Sequence, residues 1–156
     1  MKFLMHHGFL TLLIVLSLPS TPLAAGLQQM PGKTLLFTGM ADAERKTRLT
    51  KTGVEVVTLP LKDERLDLSA VLQYLGTLEI NEVHLEAGAT LCGALLQAGL
   101  IDELVIYVAP VLMGDSARAL FRLPGLETME QKIELDIIDR RMVGQDMRIT
   151  AKVIRK

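Results

Sequence analysis

A carboxylate, a glycine and a hydroxyl alternate in Glu86-Ala87-Gly88-Ala89-Thr90, directly ahead of the apolar run Leu91-Cys92-Gly93-Ala94-Leu95-Leu96. Residue types at this spacing suit the holding of an anionic or hydroxylated ligand. The first N–H groups of a helix have no partner within it and carry partial positive charge, so they receive phosphate oxygens, and a glycine lets a ligand approach the backbone closely. A carboxylate such as Glu86 accepts hydrogen bonds from a ring amine or a ribose hydroxyl. The same residues also build an ordinary strand–turn–helix connection with Thr90 as its cap, and a short glycine turn alone does not separate the two readings.

The elements that must position these groups follow from the flanking pattern. Glu82 to Glu86, EVHLE, reads as a strand that ends at Glu86, where open α/β sheets place their binding crevices. Leu91, Leu95 and Ala98 recur at helical spacing over Thr90 to Ala98, and Gly99 offers a C-terminal stop. Upstream, TLLFT (34–38) is a continuous apolar run between glycines, expected as a strand buried on both faces. ADAERKTRLTKTG predicts a short exposed helix ending near Gly53, and VEVVTLP a strand stopped by Pro60. LDLSAVLQYLGTL carries Leu68, Val71, Leu72 and Leu75 on one helical face, with Asp67 or Ser69 as cap and Gly76 as stop. Downstream, ELVIYVAP reads as a strand and SARALF with LPGLE as a turn-rich excursion. IELDIIDRRMV and DMRITAKVI, separated by Gly144-Gln145-Asp146, predict an antiparallel hairpin with Ile133, Leu135 and Ile137 on one face and Glu134, Asp136 and Ile138 on the other. Alternation of strands and helices followed by a hairpin predicts an α/β mixed sheet, parallel at its centre and antiparallel at its C-terminal end.

Composition narrows the function. The chain has 156 residues, a formal net charge of −1 and 22% charged residues, which gives no basic footprint for nucleic acid and leaves a small molecule or a protein as the expected partner. Cys92 is the single cysteine, so no internal disulfide forms, and with three histidines a zinc site is not expected. No G-x-x-x-x-G-K, G-x-S-x-G or H-E-x-x-H occurs. Lys2 followed by the apolar run Phe9 to Leu18 and then LAAG resembles a secretory signal, so export or membrane contact of residues 1–20 is one expectation. The other is a replaced N-terminus on a cytoplasmic protein.

EAGATLCGALLQAGLIDELVIYVAPVLMGDSARALFRLPGLE closely resembles the reductase domain of the bifunctional riboflavin biosynthesis deaminase/reductase family, whose pattern runs E-A-G-P-T-L-x-G-[AS]-L-L, then D-E-L and A-P-x-L-[LM]-G. The likeness extends from about Thr21 to Ile154, which divides the chain into a signal-like segment, 1–20, and a domain, 21–156. It implies a dihydrofolate-reductase-like fold, here incomplete at its N-terminus, and a cytoplasmic homodimer. It also implies NADPH-dependent reduction of 5-amino-6-(5-phosphoribosylamino)uracil, a phosphoribosylaminopyrimidine. By resemblance Glu86 contacts that substrate, while Gly88, Ala89, Thr90, Leu91, Cys92, Gly93 and Ala94 hold NADP. No catalytic acid or base is expected, because the cofactor carries the hydride chemistry. Three departures stand out. Ala89 replaces the usual proline and Val111 the common lysine, and the family's upstream strands, with their arginine and tryptophan contacts, have no counterpart. A non-catalytic remnant or assembly module of the same fold is therefore the alternative expectation. The deaminase signature, H-x-E with P-C-x-x-C, is absent.

Overall fold

The computed structural model describes residues 34–155 except 41, 42 and 52. The signal-like run and the boundary at residue 20 lie outside the described residues. The chain divides into two compact units on either side of Ile80 and Asn81.

In the first unit, strands β1 (Thr34–Thr38) and β2 (Val54–Thr58) pair in parallel, with Leu36 opposite Val56. Every residue of β1 is buried, as its apolar sequence requires of a strand covered on both faces. Helix α1 (Ala43–Thr50) connects the two, and Leu49 is its contribution to the cluster of Leu36, Val54 and Val56. Gly53 ends the connection at φ +82, a conformation that favours glycine. A two-residue ladder, β3 (Leu61–Lys62) with β4 (Arg65–Leu66), then leads into helix α2 (Leu68–Thr77). Tyr74 on α2 meets the Phe37 ring edge-on, with centroids 5.7 Å apart, and its hydroxyl donates to Glu55.

The ends of α2 divide the sequence expectations. Asp67 is the cap, accepting the N–H groups of Ser69 (2.9 Å) and Ala70 (3.4 Å). Gly76 is not the stop. It lies inside the helix, and Glu79 takes the left-handed conformation (φ +60), while Ile80 N–H closes onto Leu75 C=O and Glu79 N–H onto Gly76 C=O. The pattern is a Schellman closure built on a non-glycine residue. Replacing Asp67 by alanine is expected to cost about 1 kcal/mol, because two orphan N–H groups lose their acceptor. Urea unfolding of the two proteins measures it, and an unchanged midpoint would remove the cap from the account.

The second unit holds helix α3 (Ala89–Gln97) and an antiparallel sheet of β5 (Glu103–Val108), β7 (Asp146–Val153) and β6 (Leu135–Val143), in that order. Parallel and antiparallel pairing are thus both present, in separate ladders among the described residues. Gly99, at φ +66, ends α3 as expected, with Leu100 N–H on Leu95 C=O and Gly99 N–H on Leu96 C=O. The expected strand 82–86 joins no ladder among the described residues. Its alternation survives in burial, Val83 inside and His84 and Glu86 outside, because period two marks faces while a strand also needs a partner.

Register sorts the hairpin sheet into two unlike faces. On one, Val108, Met147 and Met142 form a cross-strand row, followed by Ile106, Ile149 and Arg140, and then by Leu104, Ala151 and Ile137. Leu104 and Ala151 are buried, whereas Ile137, Met142 and Val108 are exposed. The opposite face carries Glu103, Lys152 and Asp136 in one row and Tyr107, Arg148 and Arg141 in another. A register shift between Ile137 and Asp139 leaves Ile138 as an extra residue, so the predicted alternation of β6 breaks there. Thr150, opposite Asp139, is buried with its hydroxyl unpaired.

Candidate functional site

The turn that opens α3 is built by its backbone. Gly88 is extended (φ −71, ψ 163) and caps the helix with its carbonyl, which accepts the N–H groups of Leu91 (3.1 Å) and Cys92 (3.2 Å). Thr90 is therefore not the cap. The helix starts one residue ahead of it, and no side chain closes the N-terminus. Ala89 and Thr90 donate their N–H groups to no carbonyl among the described residues. A Cβ placed on Gly88 would meet, beyond its chain neighbours, no atom of the described residues within 4 Å, so among them the space in front of this glycine is open. Two N–H groups without carbonyl partners, an open approach and the positive end of a helix coincide here, which are the features an anion-binding turn requires.

The remaining residues of the expected cofactor set divide by their place in the helix. Leu91 and Gly93 face inward and are buried. Cys92 is half-buried and donates its thiol to Ala87 C=O at 3.2 Å, fastening the residue ahead of Gly88 to the first turn of the helix. Ala94 lies a full turn into the helix, and its carbonyl accepts Ala98 N–H. The open rim consists of Gly88, Ala89 and Thr90.

Glu86 stands just ahead of the turn with its side chain 86% exposed. One carboxylate oxygen lies 3.1 Å from His84 Nε2, two residues back on the same face of the extended segment. That contact leaves most of the carboxylate's acceptor capacity free. The i, i+2 spacing of His84 and Glu86 was visible in the sequence, although only the glutamate was singled out there.

Sequence reading missed a backbone strap laid along α3. Arg122 N–H donates to Ala89 C=O at 2.9 Å, and Gln97 Nε2 donates to Pro124 C=O at 2.7 Å. Between them, a Cβ on Gly93 would collide with the carbonyl oxygen of Arg122. Ala89, Gly93 and Gln97 are four residues apart in turn, so they form one stripe on the helix. Gly93→Ala is expected to destabilise the chain by about 1–3 kcal/mol, since backbone atoms, not a flexible side-chain end, must give way. Thermal unfolding tests this, and an unchanged midpoint would mean that the strap does not hold.

The elements described define an α/β domain in which a helix opens on a glycine turn with an open approach. The chain belongs to the RibD C-terminal domain family, which matches residues 11–148. It is 40% identical over 119 residues to the riboflavin biosynthesis protein RibD of Escherichia coli K12, an alignment covering 76% of this chain and 31% of that protein. A 5-amino-6-(5-phosphoribosylamino)uracil reductase of Buchnera aphidicola is 34% identical over 87 residues, covering 56% of this chain and 42% of the reductase. Among solved structures, RibD of Acinetobacter baumannii superposes with a TM-score of 0.75 at 31% identity, over 92% of this chain and 37% of that one. The chain thus spans about a third of the E. coli protein it resembles.

Proposed function

We propose that this chain carries out the reductase step of riboflavin biosynthesis, the NADPH-dependent reduction of the ribosyl group of 5-amino-6-(5-phosphoribosylamino)uracil. The observation that carries the reading is the open turn at Gly88 in a chain of this family, two residues after an exposed glutamate. NADPH, when bound, supplies the hydride. Gly88, Ala89 and Thr90 hold its phosphate through backbone N–H groups and the threonine hydroxyl, and the helix dipole favours the negative charge. Leu91, Cys92, Gly93 and Ala94 form the first turns of the helix behind them, which fix the rim in place. Glu86 accepts hydrogen bonds from the pyrimidine substrate and orients it. Because NADPH and a phosphorylated pyrimidine are intracellular molecules, this reading puts the reaction in the cytoplasm.

Titration of the purified chain with NADPH, followed by nucleotide fluorescence, tests the cofactor half of the reading. Loss of NADPH absorbance that depends on the pyrimidine tests the other half. Saturable binding is expected, and its absence would overturn the assignment.

The apolar face of the hairpin sheet favours a second reading, a non-catalytic assembly module, and a homodimer belongs to both. Exposed Ile137, Met142 and Val108 on one face of the sheet are an unusual surface for a lone chain. Converting Ile137 and Met142 to lysine is expected to shift the chain from dimer to monomer in sedimentation velocity, because two charges would be buried without partners. Identical sedimentation of parent and variant would take this face out of the dimer.

A further inference from the structure

We propose that His84 is a positioning residue for the reduction: its imidazole holds the Glu86 carboxylate in the orientation that receives the pyrimidine. The inference rests on the substrate role given to Glu86 above and adds to it the side chain that sets that carboxylate. Nε2 of the ring lies 3.1 Å from Glu86 Oε1. An ionised carboxylate only accepts hydrogen bonds, so the ring carries a proton on Nε2 and donates it, in the neutral and the charged imidazole alike. The contact engages Oε1 and leaves Oε2 to a ligand. The backbone beneath the pair is anchored independently. Val83 is buried and Leu85 half-buried, so the inner face of the segment is packed while His84 and Glu86 share the exposed face. The Cys92 thiol donates to Ala87 C=O at 3.2 Å, which ties the residue after Glu86 to α3. What freedom remains to the carboxylate lies in its own side-chain torsions, and His84 restrains those.

A fold-keeping role does not account for the pair. With side chains 50% and 86% exposed, such a contact adds little to stability. What it changes is the state of Glu86 before the substrate arrives. An unrestrained glutamate loses its rotamer freedom at the moment of binding, and that loss is subtracted from affinity. A glutamate already held on an imidazole has lost much of it in the free protein. The two residues form a preformed acceptor, and its benefit falls on the pyrimidine, whereas NADPH is held by the rim of Gly88, Ala89 and Thr90.

The test measures kcat/KM for the pyrimidine and Kd for NADPH in the full chain, with two variants beside the parent. His84→Phe keeps a ring without an N–H, and His84→Gln keeps an N–H donor without a ring. His84→Phe is expected to lower kcat/KM about three- to tenfold, the ordering cost of one side chain, with the loss in KM and the Kd for NADPH unchanged. His84→Gln should retain more activity than His84→Phe. In a Glu86→Ala background the His84→Phe change should have no further effect, because its partner is gone. Thermal midpoints of the parent and the two His84 variants should agree. Equal kcat/KM in parent and His84→Phe, with Glu86→Ala impaired, overturns the proposal and leaves the role of Glu86 intact. A greater loss in His84→Gln than in His84→Phe also overturns it, since bulk and not the donor would then matter, and so does an undiminished loss when Glu86 is absent. An unimpaired Glu86→Ala, or a parent without turnover, overturns both readings.

Discussion

Replacing Gly88 by valine is expected to raise the Kd for NADPH roughly 30-fold, equivalent to about 2 kcal/mol, while leaving the fold in place. The separation of the two effects comes from geometry. A Cβ at this glycine meets nothing among the described residues within 4 Å, and the residue is extended at φ −71, a conformation valine adopts without strain. The cost to folding is limited to a poorer N-cap residue, on the order of 1 kcal/mol. The cost to binding is the ligand's own space, since a phosphate seated on the N–H groups of Ala89 and Thr90 must pass the face of residue 88. Fluorescence titration and urea unfolding of the same two preparations measure both quantities. Equal Kd values would remove the phosphate from this turn.

Glu86→Gln is expected to lower kcat/KM for the pyrimidine about 10–100-fold, the loss of one hydrogen bond to a charged group, with little change in the Kd for NADPH. The carboxylate is solvent-exposed apart from its contact with His84, so the substitution alters charge without removing a packing group. A split between the two constants is the signature of a substrate contact as opposed to a cofactor contact. Matching rates in parent and variant would free Glu86 of that role. A parent chain that binds NADPH but never oxidises it in the presence of the pyrimidine would favour the assembly reading.

Where chemistry is local, the sequence carried the structure well. The buried run TLLFT, the cap at Asp67, the stop at Gly99 and the two-residue loop Gly144-Gln145 each follow from residues next to one another. Local rules gave way where two positions compete for one task. Thr90 is the better side-chain cap on paper, but Gly88, two residues earlier, supplies a carbonyl that caps the helix. Gly76 is the better helix stop, but the helix runs one residue past it and closes through Glu79 at φ +60, whose N–H bonds Gly76 C=O. Non-local features left weaker traces. The extra residue Ile138 repeats Ile137, and a second apolar residue there reads equally well as belonging to the opposite face, so IELDIID alone does not fix the break in register. The strap depends on a contact between Gly93 and Arg122, and its sequence trace is a stripe of small and amide residues at Ala89, Gly93 and Gln97. The glycine turn itself was legible as a candidate, and its openness was not, because the space before Gly88 depends on the path of the whole chain around it.

The extra residue in β6 bears on how this chain behaves when crowded. An outer strand with apolar side chains and free peptide groups is a template on which further chains stack without limit. At Ile138 two residues face one on the neighbouring strand, so the peptide groups lose the even spacing that a newcomer would need to zip along the full length. Asp139, Arg140 and Arg141 follow directly and set charge against charge in any stack of identical copies. Growth by strand addition is interrupted at that point, and what remains available is the flat apolar face, which two copies can cover and close. Concentrated solutions should accordingly stay free of thioflavin-positive fibres, and a chain with Ile138 deleted should seed them.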